Sequence, residues 1–104
     1  MAHPDTVVVI VSYQAQPGRA ESARRELGEL IATVVQSEPD CRGIRLLVDG
    51  ADPHRMVLIE EWTSAAAYTG PHMQTPHLQA FIGRAGAFLA GPPDIRMLRD
   101  ASRS

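Results

Sequence analysis

The chain contains no lysine and no asparagine, and it has one cysteine and one tryptophan. Without lysine there is no Schiff-base amine, no pyridoxal-phosphate attachment and no Walker A lysine. Cys41, alone, forms no internal disulfide. No apolar run reaches the roughly 18 residues of a membrane span, and Met1 to Thr6 carries neither the charged nor the hydrophobic region of a secretory leader. A soluble cytoplasmic protein with no membrane partner is the expectation. The ten cations are all arginine, scattered along the chain, against twelve acids and a net charge of −2. That balance argues against nucleic acid, which rewards a basic patch.

What is present is globular: 44% apolar and 21% charged residues over 104 positions, enough for one domain that buries about 60 to 65% of its unfolded surface. Thr6 to Tyr13 is an almost unbroken β-branched run, the pattern of a strand apolar on both faces. Gln16, Pro17 and Gly18 interrupt it. Ala20, Ala23, Leu27, Leu30, Ile31, Val34 and Val35 then form one helical stripe, with Glu21 and Arg25 placed for a surface pair, and Pro39 ends the helix. Gly43 to Asp49 reads as a second strand, and Arg55 to Trp62 as a third, joined by an Asp, Gly and Pro loop. Ser64 can cap a short helix through Tyr68. Thr75 and Pro76 open a longer one whose stripe runs Leu78, Phe81, Ile82, Ala85, Phe88 and Leu89, stopped by Gly91, Pro92 and Pro93. Asp94 to Leu98 completes the pattern, leaving residues 6–99 as one domain with flexible termini at 1–5 and 100–104.

The order β-α-β-β-α-β, with right-handed crossovers, predicts an α+β ferredoxin-like fold: a four-stranded antiparallel sheet with the helices on one face. Two helices cover only one face, yet the first and third strands are apolar on both. The open face therefore predicts a homodimer packed sheet to sheet.

Chemistry-bearing residues concentrate between Leu58 and Phe81. Trp62, Met73 and Phe81 can form a flat apolar wall, and Tyr68, His72 and His77 can supply polar contacts. Each has a plainer use: Trp62 as core or interface packing, Tyr68 as an edge residue, His72 as a loop histidine, Phe81 as core. His77 falls in the first turn of its helix, where the positive end of the dipole favours a neutral ring; it is either a base or a histidine packed on Thr75. Arg84 is a contact for an anionic oxygen or a solvated arginine. His72 and His77 stand five apart across Pro76 and share no helical face, so no metal site is expected. Glu60 and Glu61 point to opposite faces and are no carboxylate pair; one of them is a candidate for burial beside an arginine.

Gln16-Pro17-Gly18, the strand end Glu60-Glu61-Trp62, and the segment from His72 to Leu78 together resemble the antibiotic biosynthesis monooxygenase domain of the dimeric α/β-barrel superfamily. The resemblance implies a homodimer whose sheets form a barrel, and oxygenation by dioxygen of a hydroquinone or polycyclic phenol with no metal or prosthetic group. On it, His72, His77 and Tyr68 are the catalytic candidates, and Trp62, Met73, Phe81 and Arg84 the substrate contacts. Haem-degrading relatives use an Asn on the first strand and a His on the second helix, and antibiotic-modifying members carry an Asn ahead of the Trp; this chain has no Asn. The alternative is a non-catalytic dimer that binds a small aromatic molecule.

Overall fold

β-Branched residues favour extended backbone because they are restricted at χ1, and the Val- and Ile-rich run forms β1 (Val7–Gln14) at the centre of the sheet. In the computed structural model, which describes residues 5–102, there follow α1 (Ala20–Ser37), β2 (Cys41–Val48), β3 (Arg55–Trp62), α2 (Ala65–Thr69), a 3-10 turn at Pro71–Gln74, α3 (Pro76–Arg84), a second 3-10 turn at Ala85–Ala87 and β4 (Asp94–Leu98). The strands lie in the order β2-β3-β1-β4, all antiparallel, so the ferredoxin-like expectation holds. Of the flexible termini expected at 1–5 and 100–104, residues 1–4 and 103–104 lie outside the described residues.

Strand alternation sorts the sheet into two faces. Val7, Val9, Val11 and Tyr13 of β1, with Met56, Leu58, Glu60 and Trp62 of β3, point inward and are buried. They pack on Ala23, Leu27, Leu30 and Val34 of α1 and on Leu78 and Phe81 of α3 in a single core. The outer face carries Val8, Ile10, Val57 and Ile59, only half-buried, and among the described residues no helix covers it.

The structure differs from the sequence reading at several points. β2 begins at Cys41, two residues early, because Cys41 pairs with Trp62 before a bulge at Cys41/Gly43 restores the register. α3 ends at Arg84, short of Leu89. Here the Gln16 amide donates to the carbonyls of Gly86 and Leu89, and Leu89 bridges to Ala15, which draws this segment out of the helix and onto the end of β1. Glu21 pairs with Arg24, not Arg25, and Val35 is exposed, so the stripe of α1 is narrower than its apolar content suggested.

The caps are where the sequence placed them. Ser64 Oγ accepts from the amide of Ala67 at 3.1 Å, and Thr75 Oγ1 accepts from the amide of Leu78 at 3.4 Å, with Pro76 in the first helical turn. Between these helices the chain reverses tightly at Gly70. A Cβ there would lie 2.9 Å from the carbonyl oxygen of Ala66, so only glycine fits. Thr75 also donates to the His72 carbonyl at 2.9 Å, so the cap fixes the turn that carries His72. Thr75→Ala should lower stability by about 1 kcal/mol and Tm by roughly 4–8 °C, and Thr75→Ser should restore most of it; thermal unfolding followed by circular dichroism checks both.

Candidate active site

Between the inner face of the sheet, α1 and α3 lies a cavity of about 470 Å³, within the range of about 300–1,000 Å³ typical of small-molecule sites. Its walls are almost wholly apolar: Leu30 and Val34 from α1, Val11 and Leu58 from the sheet, and Leu78 and Phe81 from α3 are representative. Four lining side chains are polar, namely Tyr13, Glu60, Tyr68 and His72. Among the described residues no arginine lines it.

Three rings build its polar end. Tyr68 and His72 stack with centroids 5.3 Å apart and planes 28° from parallel. Trp62 lies behind both, 5.6 Å from Tyr68 edge to face and 4.5 Å from His72. Trp62 is 1% exposed and is not part of the lining; it backs the rings that are.

A carboxylate at the end of α1 holds the histidines. Glu38 Oε1 and Oε2 each lie 3.0 Å from His72 Nδ1, and Oε2 lies 2.6 Å from His77 Nε2. An ionised carboxylate only accepts, so each nitrogen carries its proton toward Glu38. In the neutral imidazole His72 Nε2 is then left as an acceptor, and His77 is a donor to Glu38. The position of Glu38 is itself fixed, since its amide donates to the Val34 carbonyl and its carbonyl accepts from the Cys41 amide. A negative side chain at a helix C-terminus opposes the dipole; the two ring N–H groups offset that.

Glu60, 5% exposed, sits on the inner face between Val9 and Ile44 in the register. Its Oε1 accepts from the Trp62 indole N–H at 2.9 Å. Burial raises its pKa from 4.5 to about 7; the indole hydrogen bond opposes the shift and the Glu38 charge adds to it. Burial, and then the Glu60 charge, push Tyr68 up to about 12, and Tyr13 rises for the same reasons.

Of the sequence candidates, Tyr68, His72, Met73 and Phe81 are brought together on the cavity. Trp62 and His77 stand behind it, His77 bound to Glu38. Arg84 is turned away, its guanidinium 2.9 Å from Glu26 at the surface. Two residues were missed. Glu60 was legible, because alternation with Met56, Leu58 and Trp62 puts it in the inward phase, although its partner is an indole and no arginine. Glu38 carried only a weak signal, an acid beside the helix-ending Pro39; its contacts lie 34 and 39 residues away.

A family model described as antibiotic biosynthesis monooxygenase matches residues 6–84. The chain is 26% identical over 97 residues to the protein sll1783 of Synechocystis, a match that takes in 93% of this chain and 65% of that protein; the chain thus spans just under two thirds of that relative. Among solved structures, PA3566 from Pseudomonas aeruginosa superposes with a TM-score of 0.85 at 30% identity, over 97% of this chain and 100% of that one. Rv0793 from Mycobacterium tuberculosis shares the fold, with a TM-score of 0.82 at 23% identity over 95% and 98%.

The buried carboxyl makes stability depend on pH in a stated direction. Its folded pKa, about 7, lies above the ordinary 4.5, so between those values the folded state binds more protons than the unfolded one. Stability from this group is present below about pH 4.5 and lost as pH rises through about 7, on the order of 3 kcal/mol in all. Glu60→Gln, which keeps an oxygen for the indole, should therefore raise stability over wild type at pH 8 and much less at pH 5, as urea denaturation at the two pH values will measure.

Proposed function

The chain belongs to the antibiotic biosynthesis monooxygenase family, and on that premise we propose that its cavity oxygenates a small hydroxylated aromatic, a hydroquinone or polycyclic phenol, with dioxygen and without a prosthetic group. The observation that carries this reading is the cavity itself: about 470 Å³ of apolar space closed at one end by a stacked tyrosine and histidine. An electron-rich phenol, once deprotonated, can pass an electron to dioxygen directly. The protein's task is then to exclude water, hold the ring flat and manage the hydroxyl proton. For a hydroquinone the reaction balances as hydroquinone plus dioxygen giving hydroxyquinone plus water.

Phe81 and Met73 serve as walls, with Trp62 behind the polar end. His72 Nε2, left as an acceptor by the Nδ1 bond to Glu38, and the Tyr68 hydroxyl hold the phenolic oxygen. His77 acts through Glu38 as a positioning residue. Arg84, engaged with Glu26, has no part in this scheme. The half-buried outer sheet face, Val8, Ile10, Val57 and Ile59, joined by the exposed Leu47 and Leu98, supports a homodimer packed through that face. Among the described residues no helix is long and apolar enough to cross a membrane.

Oxygen consumption by the metal-stripped protein, with a panel of hydroquinones and anthrone-like phenols and a boiled-protein control, tests the reading. Protein-dependent uptake is expected. His72→Ala should lower kcat by about a hundredfold or more, far more than it lowers affinity, and His77→Ala should have a smaller effect in the same direction. No uptake, together with saturable quenching of Trp62 emission by the same compounds, would leave a binding protein for aromatics.

A further inference from the structure

Oxidation of a phenol by dioxygen begins with loss of the hydroxyl proton, and a water-poor cavity must hold the acceptor. Tyr13 and Tyr68 do not qualify, since both phenols are pushed well above their ordinary range. Two groups remain. His72 offers Nε2, its ring held by Glu38. Glu60 offers a carboxylate: Oε1 accepts from the Trp62 indole, and among the described residues no donor holds Oε2. The residue lines the cavity. Its strand neighbours are the apolar Val9 and Ile44.

We propose that Glu60 is the proton acceptor of the cavity, its carboxylate taking the hydroxyl proton of a bound neutral phenol or hydroquinone; the place of this step in turnover rests on the monooxygenase reading. In the transfer the phenolic O–H bond breaks, a carboxyl O–H bond forms, and the electron pair stays on the phenolic oxygen. The negative charge passes from carboxylate to phenolate, so the cavity never holds two anions at once and total charge is unchanged. The indole N–H of Trp62 keeps Oε1 oriented throughout and favours the ionised form before the ligand arrives.

The groups facing Glu60 are consistent with this role. β1 contributes Tyr13, β2 Cys41, α2 Tyr68, the 3-10 turn His72, and the end of α1 Glu38; α3 contributes the apolar Leu78 and Phe81. None is a permanent cation that would pin the carboxylate in its charged form. Burial holds its pKa near 7, where a carboxyl can both take a proton and return it, in turnover, to reduced dioxygen on its way to water. Specificity follows from the same arrangement. A cavity with one carboxyl and no cation admits neutral hydroxylated aromatics and rejects carboxylated or sulfonated ones.

The sole tryptophan reports on its own acceptor, so the test needs no turnover. Between pH 5.5 and 8.5, wild-type Trp62 emission should titrate with a midpoint near 7. Over the same range calorimetry should show 2-naphthol binding about tenfold tighter at the alkaline end, where the hydroxyl meets a charged acceptor. 2-Methoxynaphthalene, lacking the proton, should show no such change. Glu60→Gln should abolish both transitions, and His72→Gln, whatever it costs in overall affinity, should keep the pH dependence of both. Flat wild-type emission and flat naphthol affinity would overturn the proposal without any variant. So would transitions that survive in Glu60→Gln or vanish only in His72→Gln, which would assign the proton to His72. Oxygen uptake separates this proposal from the reading beneath it. If naphthol binding loses its pH dependence in Glu60→Gln but wild-type protein consumes no oxygen, the acceptor stands and the monooxygenase falls. If uptake depends on the protein and Glu60→Gln keeps its rate and pH profile within threefold, the monooxygenase stands and the acceptor falls.

Discussion

Glu38 is the point at which the site is tied to the fold. Its backbone belongs to the end of α1, and its carboxylate receives the side chains of His72 and His77 from the segment that enters α3. Without that carboxylate the His72 ring N–H would be buried with no acceptor, at a cost of about 1–3 kcal/mol, and the half-buried His77 would lose its partner. The consequence is geometric as well as energetic. Holding His72 Nδ1 fixes the face the imidazole presents to Tyr68 and Trp62, and leaves Nε2 for whatever enters the cavity. Gly70 and the Thr75 cap set the turn; Glu38 sets the ring.

Glu60 is the opposite case, a carboxyl placed where no cation compensates it. A core position between Val9 and Ile44 would be filled more stably by leucine, yet it carries an acid whose one hydrogen-bonding partner among the described residues is the Trp62 indole. Local rules broken in this way, without a compensating gain in stability, mark functional positions. The two carboxylates thus differ in kind: one is satisfied and rigidifies, the other is underpaired and faces the cavity.

Much of this architecture was legible because short-range signals decide it. Val7 to Gln14 could hardly be anything but a strand, Ser64 and Thr75 declared their helices, and the third and fourth strands fell where alternation and flanking Gly and Pro put them. What local signals missed, long-range contacts decided. α3 stops at Arg84 because Gln16, some seventy residues earlier, binds Gly86 and Leu89. Glu38 meets its histidines across the whole β2-β3 hairpin. Arg84 looked available from its helix face and is instead held by Glu26. Period and capping give faces and ends; they give no partner for a side chain whose contact lies on another element. Tyr68, His72, Met73 and Phe81 were found because aromatic and histidine residues cluster in one short segment, and Glu60 was passed over because a carboxylate on an apolar strand face was expected to find an arginine.

The central claim is that this cavity inserts one atom of dioxygen into a hydroxylated aromatic. Turnover of a hydroquinone under ¹⁸O₂ by the metal-stripped protein, with product and water analysed by mass spectrometry, tests it most directly. The account predicts one labelled oxygen in each product molecule and the other in water, dependent on active protein and unchanged by chelators. Label appearing at the rate of the boiled control, or only in hydrogen peroxide, would contradict it.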